Sequence, residues 1–105
     1  MNKTIQQPSK SQIMLDIIEG SVSYIIDQKT FAMNVTHIGT HNVNRYNDTE
    51  VIEIESLSAN NDIGNIHIVS KHMLSALLKN KRVSCKVKYK NEYNRLVSKV
   101  ILKFW

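Results

Sequence analysis

The sequence contains few residues of the types that cross-link or sharply bend a chain. One cysteine, one proline and three glycines occur in 105 residues. Because Cys85 has no second cysteine to pair with, an internal disulfide is excluded and a reducing compartment is favoured. No apolar run approaches the roughly 20 residues of a transmembrane helix, and residues 13–18 are too few for the core of a signal peptide. We therefore expect a cytoplasmic protein that does not enter a membrane.

Motifs for catalysis and for metal binding are also missing. The sequence has no Gly-rich phosphate loop, no nucleophile elbow and no Ser-His-Asp order. The four histidines form neither a Cys-x-x-Cys nor a His-Glu-x-x-His arrangement. Several carboxylates occupy positions typical of exposed strands and turns, without a convergent partner: Asp16, Asp27, Asp48, Glu50, Glu53 and Glu55. We expect a protein that is not an enzyme and holds no metal or cofactor.

Acidic residues are scarce in the last quarter of the chain. The formal net charge is +5, but residues 79–105 contain nine bases and one acid, whereas residues 1–78 contain five bases and eight acids. The C-terminal segment therefore carries a charge of +8 and the remainder −3. Charge segregated in this way indicates an anionic partner and says nothing about the fold.

The bases of this segment fall on alternate positions, which predicts strands. In residues 82–90 the bases and Ser84 share one face, and the opposite face is formed by Val83, Cys85, Val87 and Tyr89. In residues 95–105 three bases lie opposite an apolar face formed by Leu96, Val100, Leu102 and Phe104. We expect a hairpin that turns at residues 91–94 and carries its bases on one surface.

The apolar faces of the two strands predict their register. They pair Val83 with Leu102, Cys85 with Val100 and Tyr89 with Leu96, which sets Arg82 opposite Lys103, Lys86 opposite Lys99 and Lys90 opposite Arg95. Like charges directly opposite each other destabilise a ladder, and a phosphate backbone would relieve that repulsion. Val97, Ile101 and Trp105 are expected on the same outward face, where Trp105 could stack on a base.

Earlier in the chain, alternation predicts strands over residues 21–27, 31–38 and 49–57, and a brief extended segment over residues 66–69. Residues 13–19 favour a strand bent at Gly20, with a short helix capped by Ser11 as the alternative. Residues 39–48 and 58–65 are rich in small polar residues and are predicted to be loops.

A helix is predicted before the basic hairpin. Ser70 is a suitable N-cap, and apolar residues follow at helical spacing as far as Leu78; we interpret this stripe as a plug of the core. Three strands, one helix and two strands is the order of an OB barrel, although PUA-like barrels share much of it. We predict a mostly β (α+β) fold, a small five- to six-stranded OB-like Greek-key barrel over residues 11–105, after a flexible arm over residues 1–10.

Two acidic residues oppose a ligand-binding interpretation. Glu53 and Glu55 could lie beside the basic strands and neutralise them within the protein, and lysine on an edge strand also prevents aggregation. In favour of a ligand, the loop over residues 39–48 offers Arg45 and Tyr46 beside strands two and three, the face that OB barrels use for nucleic acid.

We predict a small nucleic-acid-binding protein that favours single-stranded DNA or RNA with little sequence preference. The expected contacts are Arg45, Tyr46, Arg82, Lys86, Lys88, Lys90, Tyr93, Arg95, Lys99, Lys103 and Trp105. The alternative is an interaction or inhibitor protein, encoded by a phage or plasmid, that docks its basic hairpin on an acidic protein surface. A homodimer assembled through an exposed strand edge of the hairpin is a third option.

Overall fold

The structure, a computed structural model, describes residues 15–59 and 65–103. Within these ranges the elements follow the chain in the order β1 (Asp16–Asp27), β2 (Thr30–Ile38), β3 (Thr49–Ala59), α1 (Lys71–Leu78), β4 (Arg82–Lys90) and β5 (Leu96–Lys103). The predicted N-terminal arm, residues 1–10, lies outside the described residues.

The five strands form a closed barrel in the order β1-β2-β3-β5-β4, and β4 pairs with β1 to complete it. The β3–β5 pairing is parallel, and the other four pairings are antiparallel. A closed five-stranded mixed barrel with one helix between β3 and β4 is consistent with an OB-like barrel. The predicted fold class is therefore confirmed.

The extended segment predicted over residues 66–69 does not form a strand. The backbone N–H of Ile66 donates one hydrogen bond of 2.6 Å to the Leu57 carbonyl, and a single bond does not make a strand ladder. Ile66 and Ile68 pack, partly buried, against the core. The alternation of apolar residues there reflects packing against the barrel and not strand pairing.

Strand β1 bends where it passes β2. The register shifts between Glu19 and Gly20, and a Cβ atom added at Gly20 would lie 1.8 Å from the Asn34 carbonyl oxygen. Only glycine permits this close approach of two backbones. The strand predicted to bend at Gly20 is confirmed from Asp16 onwards, and the helical alternative is excluded over the same residues.

The core is filled from every strand and from the helix. Its fully buried members include Ile18, Phe31, Met33, Ile52, Leu74, Leu78, Cys85 and Leu102. The N-cap prediction for α1 is confirmed, because the Ser70 hydroxyl oxygen accepts a 3.0 Å hydrogen bond from the Met73 N–H. The inward position of Cys85 is also confirmed, and burial raises the pKa of its thiol.

The predicted register of the basic hairpin is confirmed over its first half. Arg82 pairs with Lys103, and Lys86 pairs with Lys99. A register shift follows between Val87 and Tyr89, so Tyr89 faces Val97 and Lys90 faces Leu96.

The predicted pairing beyond Val87 is therefore wrong, and so are the side-chain directions that depended on it. One extra residue in a strand reverses its alternation between the two faces. The extra residue lies in β4, and consequently Tyr89 is 57% exposed, where a core position was expected. In β5, Val97 is 6% exposed, where an outward position was expected, although its neighbour Leu96 keeps the predicted core position. Ser84, expected to face solvent, is also buried.

Most of the hairpin has no open strand edge of the kind that the dimer option requires. Residues 82–87 of β4 pair with β1 on one side, and the strand pairs with β5 on the other. Strand β5 is held between β3 and β4. Closure of the barrel therefore leaves only residues 88–90 of β4 without a described partner on the β1 side, and a homodimer assembled through a strand edge stays a prediction.

Candidate functional site

The loop over residues 39–48 is tied to the start of β1 by side-chain hydrogen bonds. The Asn42 side chain accepts a 2.8 Å hydrogen bond from the Ile17 N–H and donates one of 2.8 Å to the Ile17 carbonyl. The Gly39 N–H donates to the same carbonyl at 2.9 Å. The Asn42 amide thus bonds both backbone groups of Ile17, as the backbone of a neighbouring strand would.

Asp16 is the second and more buried anchor of this loop. It is 4% exposed, and its two carboxylate oxygens accept hydrogen bonds from the Val43 N–H at 2.9 Å and the Asn44 N–H at 3.1 Å. The Asn44 amide donates at 3.0 Å and the Tyr46 hydroxyl at 2.6 Å. Burial alone would raise the pKa of Asp16, but these donors outweigh it and hold the pKa below its ordinary value.

The sequence interpretation of Asp16 and Glu50 as exposed carboxylates is wrong. Both side chains are buried, and Glu50 accepts a 2.7 Å hydrogen bond from the Asn47 N–H. The partners of Asp16 lie 27 to 30 residues further along the chain. No local pattern in the sequence indicates a partner at that separation.

Tyr46 and Arg45 take different positions within the loop. The Tyr46 ring packs, partly buried, against the core, and its hydroxyl is committed to Asp16. Burial and the neighbouring Asp16 carboxylate raise the pKa of the Tyr46 hydroxyl. Arg45 is exposed. The loop therefore offers a fixed ring beside a solvent-facing guanidinium.

A cleft of about 360 Å³ separates this loop from the end of β4. Its walls bring together four residues that were predicted as contacts, Arg45 and Tyr46 from the loop with Lys88 and Lys90 from the hairpin. Further lining residues are Leu15, Asp16, Val43, Asn44, Val87, Tyr89 and Leu96. Strand β1 begins opposite Val87, so no described residue pairs with Lys88–Lys90 on that side and the cleft opens there.

Tyr89 is a lining residue that the sequence interpretation missed. The strict alternation of residues 82–90 assigned it to the core, but the register shift after Val87 turns it outward. Bulges re-aim side chains beside functional sites. The bulged strand keeps the sequence period of a regular one, so alternation could not have revealed it.

A second group of cations lies on the outer barrel wall, and we call it the basic strip: Arg82, Lys86, Lys99 and Lys103. The paired Lys86 and Lys99 are both exposed. The pair of Arg82 and Lys103 stands four residues away, about 13 Å along the strands. The Arg82 guanidinium donates a 2.9 Å hydrogen bond to the Thr36 hydroxyl.

Internal acids neutralise a specific part of the hairpin. Glu55 lies 2.6 Å from the Lys88 amine, and Arg95 lies 3.8 Å from Glu53 and 4.0 Å from Asp27. Lys103 lies 4.0 Å from Glu19. The acidic pair Glu53 and Glu55 does lie beside the hairpin, as the argument against a ligand required.

Five predicted cations remain without an ion pair among residues 15–59 and 65–103. They are Arg45, Arg82, Lys86, Lys90 and Lys99. Arg82, Lys86 and Lys99 belong to the basic strip, and Arg45 and Lys90 line the cleft. The neutralised bases Lys88, Arg95 and Lys103 contact acids of β1 and β3. The positive charge that is not neutralised within the described residues therefore extends from the basic strip to the cleft.

The hairpin turn carries Tyr93 and Arg95. Tyr93 is exposed, and the Arg95 guanidinium lies over its ring at 5.7 Å from the centroid. The Asn91 side chain accepts hydrogen bonds from the N–H groups of Tyr93 and Arg95 at 2.9 and 3.1 Å. The turn is thus shaped by its own side chains. Trp105 lies outside the described residues.

Within residues 15–59 and 65–103, no group of three or more histidine, cysteine, aspartate or glutamate side chains could hold a metal ion. No helix in this part of the chain is long and apolar enough to span a bilayer.

Comparison of the chain with protein-family models, with curated proteins and with solved structures finds no match.

Proposed function

We propose that this protein binds single-stranded nucleic acid along a surface that runs from the basic strip to the cleft beside the loop over residues 39–48. The observation that carries the proposal is the exposed pair of Lys86 and Lys99, which face each other across β4 and β5 with no acidic partner among the described residues. A phosphate between the two amines is the simplest group that satisfies both.

The energetics of this pair favour a bound anion. Directly opposed residues in an antiparallel pair have Cα atoms roughly 4.5 to 5.5 Å apart, so their side chains are neighbours, and like charges on such neighbours weaken the ladder. The repulsion is modest because water and salt screen exposed charges. A polyanion turns it into an attraction and releases its own counterions, so the binding is salt-dependent.

The remaining contacts extend the path in both directions. Arg82 and Lys103 continue the basic strip, while Arg45, Lys88 and Lys90 line the cleft. Tyr46 and Tyr93 supply aromatic rings for stacking, which tolerates any base, and Trp105, outside the described residues, stays a predicted stacking residue. Lys88, Arg95 and Lys103 contribute less, since each already lies within 4.0 Å of a carboxylate.

The alternative function is docking on an acidic protein surface, and one observation favours it. Exposed aliphatic side chains adjoin the basic strip: Ile17 pairs with Lys86 in the register, and Ile38 and Val43 follow on the neighbouring strand and loop. Aliphatic groups beside cations suit a protein partner better than they suit a base, which stacks on rings. A homodimer could use the same face, or residues 88–90 of β4, which pair with no described residue on the β1 side.

Charge reversal at Lys86 tests the proposal. We expect Lys86→Glu to weaken binding of a single-stranded oligonucleotide roughly 5- to 20-fold at about 0.1 M salt, because one phosphate contact is lost and one repulsion is added. Fluorescence anisotropy with single- and double-stranded DNA and RNA measures the affinity.

The matched control is Lys71→Glu, which changes the net charge equally. Lys71 is exposed in the first turn of α1, where a glutamate is tolerated well. If both variants lose the same affinity, binding follows net charge and not the Lys86–Lys99 surface. If an acidic protein binds and no oligonucleotide does, the docking function replaces the proposal.

A further inference from the structure

The cleft between the loop over residues 39–48 and the end of β4 is lined by apolar and aromatic side chains as well as by cations. The basic strip is defined by cations alone. At about 360 Å³ it falls within the usual size of a small-ligand pocket. Apolar side chains such as Val43, Val87 and Leu96 share its lining with cations. An exposed row of lysines can hold phosphates, whereas a partly apolar cleft lined by aromatic rings can also receive a base.

Two tyrosines from different elements line this cleft. Tyr46 is fixed by the 2.6 Å hydrogen bond from its hydroxyl to buried Asp16. Tyr89 reaches the cleft because the bulge after Val87 turns it out of the core, where it is 57% exposed. A ring that is held before binding loses little conformational entropy when a ligand stacks on it.

The charges of the cleft suit one phosphate group. Lys88 is engaged by Glu55 at 2.6 Å, whereas Arg45 and Lys90 have no ion pair within the described part of the chain. The Asp16 carboxylate also lines the cleft, but its oxygens are occupied by four donors. Arg45 and Lys90 are thus the cations available to an entering anion.

We infer that this cleft is a subsite for one unpaired nucleotide, with the base against Tyr46 and Tyr89 and the phosphate held by Arg45 and Lys90. The inference rests on the proposed function and makes it more specific. A base enters the cleft only when it is free of its complementary strand, so the subsite confers the preference for single strands. The basic strip contributes affinity for phosphates alone.

Stacking at Tyr89 is tested by comparing two kinds of strand. The probes are a single-stranded oligonucleotide of roughly twelve nucleotides, within the site size of OB folds, and an abasic strand of the same length. We expect Tyr89→Ala to weaken binding of the first roughly 5- to 100-fold and to leave the abasic strand unaffected. Tyr89→Phe keeps the ring and should bind both as the wild type does.

Each outcome of this experiment decides between the two proposals. Equal losses on both strands, or no loss on either, would overturn the subsite, and in the second case the loss in Lys86→Glu would still support binding along the basic strip. Absence of oligonucleotide binding by the wild type would overturn both. Retained affinity for single strands with Arg45→Ala, in place of a loss on both probes, would remove the phosphate contact from the subsite.

Discussion

At the scale of single residues, Asp16 organises the candidate site. It stands at the first position of β1, where it accepts hydrogen bonds from two backbone N–H groups and two side chains of the loop over residues 39–48. One buried carboxylate therefore positions Tyr46 and shapes one wall of the cleft. It is a positioning residue and not itself a contact for an anionic ligand.

Replacing Asp16 by asparagine should destabilise the protein. The amide keeps the size of the carboxylate but loses its charge and half of its acceptor capacity, so buried donors are left poorly satisfied. We expect Asp16→Asn to lower the free energy of unfolding by about 2 to 4 kcal/mol, measured by urea denaturation. Asp48→Asn, at an exposed position of the same loop, should change it by less than about 0.5 kcal/mol.

The effect of Asp16→Asn should also depend on pH. The pKa of Asp16 in the folded protein lies below its ordinary value of 3.8, so the unfolded chain binds a proton first as the pH falls. The stabilisation by Asp16 is complete above that ordinary value and disappears as the pH drops through the lower folded-state pKa. The difference between wild type and variant should therefore be largest near pH 7 and shrink below about pH 4. A difference that grows on acidification would contradict this assignment.

At the scale of elements, the hairpin of β4 and β5 combines two properties that usually conflict. Its inner face contributes Val83, Cys85, Val100 and Leu102 to the core, while its outer face sets Lys86 opposite Lys99. The first property stabilises the barrel, and the second weakens it. An unfavourable pair on a stabilising element is typical of a surface kept for a partner.

Reversing the charge of one lysine of this pair should raise the stability of the protein and lower its affinity for nucleic acid. Lys99→Glu would replace a repulsion by an attraction to Lys86, so we expect the free energy of unfolding to rise by about 0.2 to 1 kcal/mol at low salt. Affinity for a single-stranded oligonucleotide should fall in the same variant. Urea denaturation and anisotropy give the two values.

The control for this pair is Lys90→Glu, whose cross-strand neighbour is Leu96. It should lose affinity without gaining stability, because it forms no cross-strand ion pair. If the Lys99→Glu variant is less stable than the wild type, or binds the oligonucleotide as tightly as the wild type does, the Lys86–Lys99 pair does not trade stability for binding.

The same hairpin shows which parts of the structure the sequence could predict and which it could not. The alternation of apolar and basic residues predicted the pairings of Arg82 with Lys103 and of Lys86 with Lys99 correctly, because one face must be buried and register follows from that. It failed after Val87, since basic and apolar residues continue to alternate in the sequence through the bulge, whereas the faces that they occupy do not. The order of the elements predicted the OB-like barrel, but the anchoring of the loop by Asp16 depends on partners too distant in sequence to be recognised.

At the scale of the whole molecule, folding concentrates a charge imbalance that is already present along the chain. The C-terminal segment carries +8 against −3 for the rest, and barrel closure brings some acids of β1 and β3 onto its bases, as with Glu19 and Lys103 or Glu55 and Lys88. The cations that remain without an ion pair among residues 15–59 and 65–103 run from Arg82 to Arg45. We therefore expect a polyanion to follow the surface from the basic strip to the cleft.

The most direct test of this path is a salt titration of the wild-type protein with a single-stranded oligonucleotide. If three to five of the free cations neutralise phosphates, the logarithm of the association constant should fall with the logarithm of the salt concentration with a slope of about −2 to −3.5. Anisotropy at several salt concentrations measures that slope. Binding with no dependence on salt, or no binding at any salt concentration, would contradict the account.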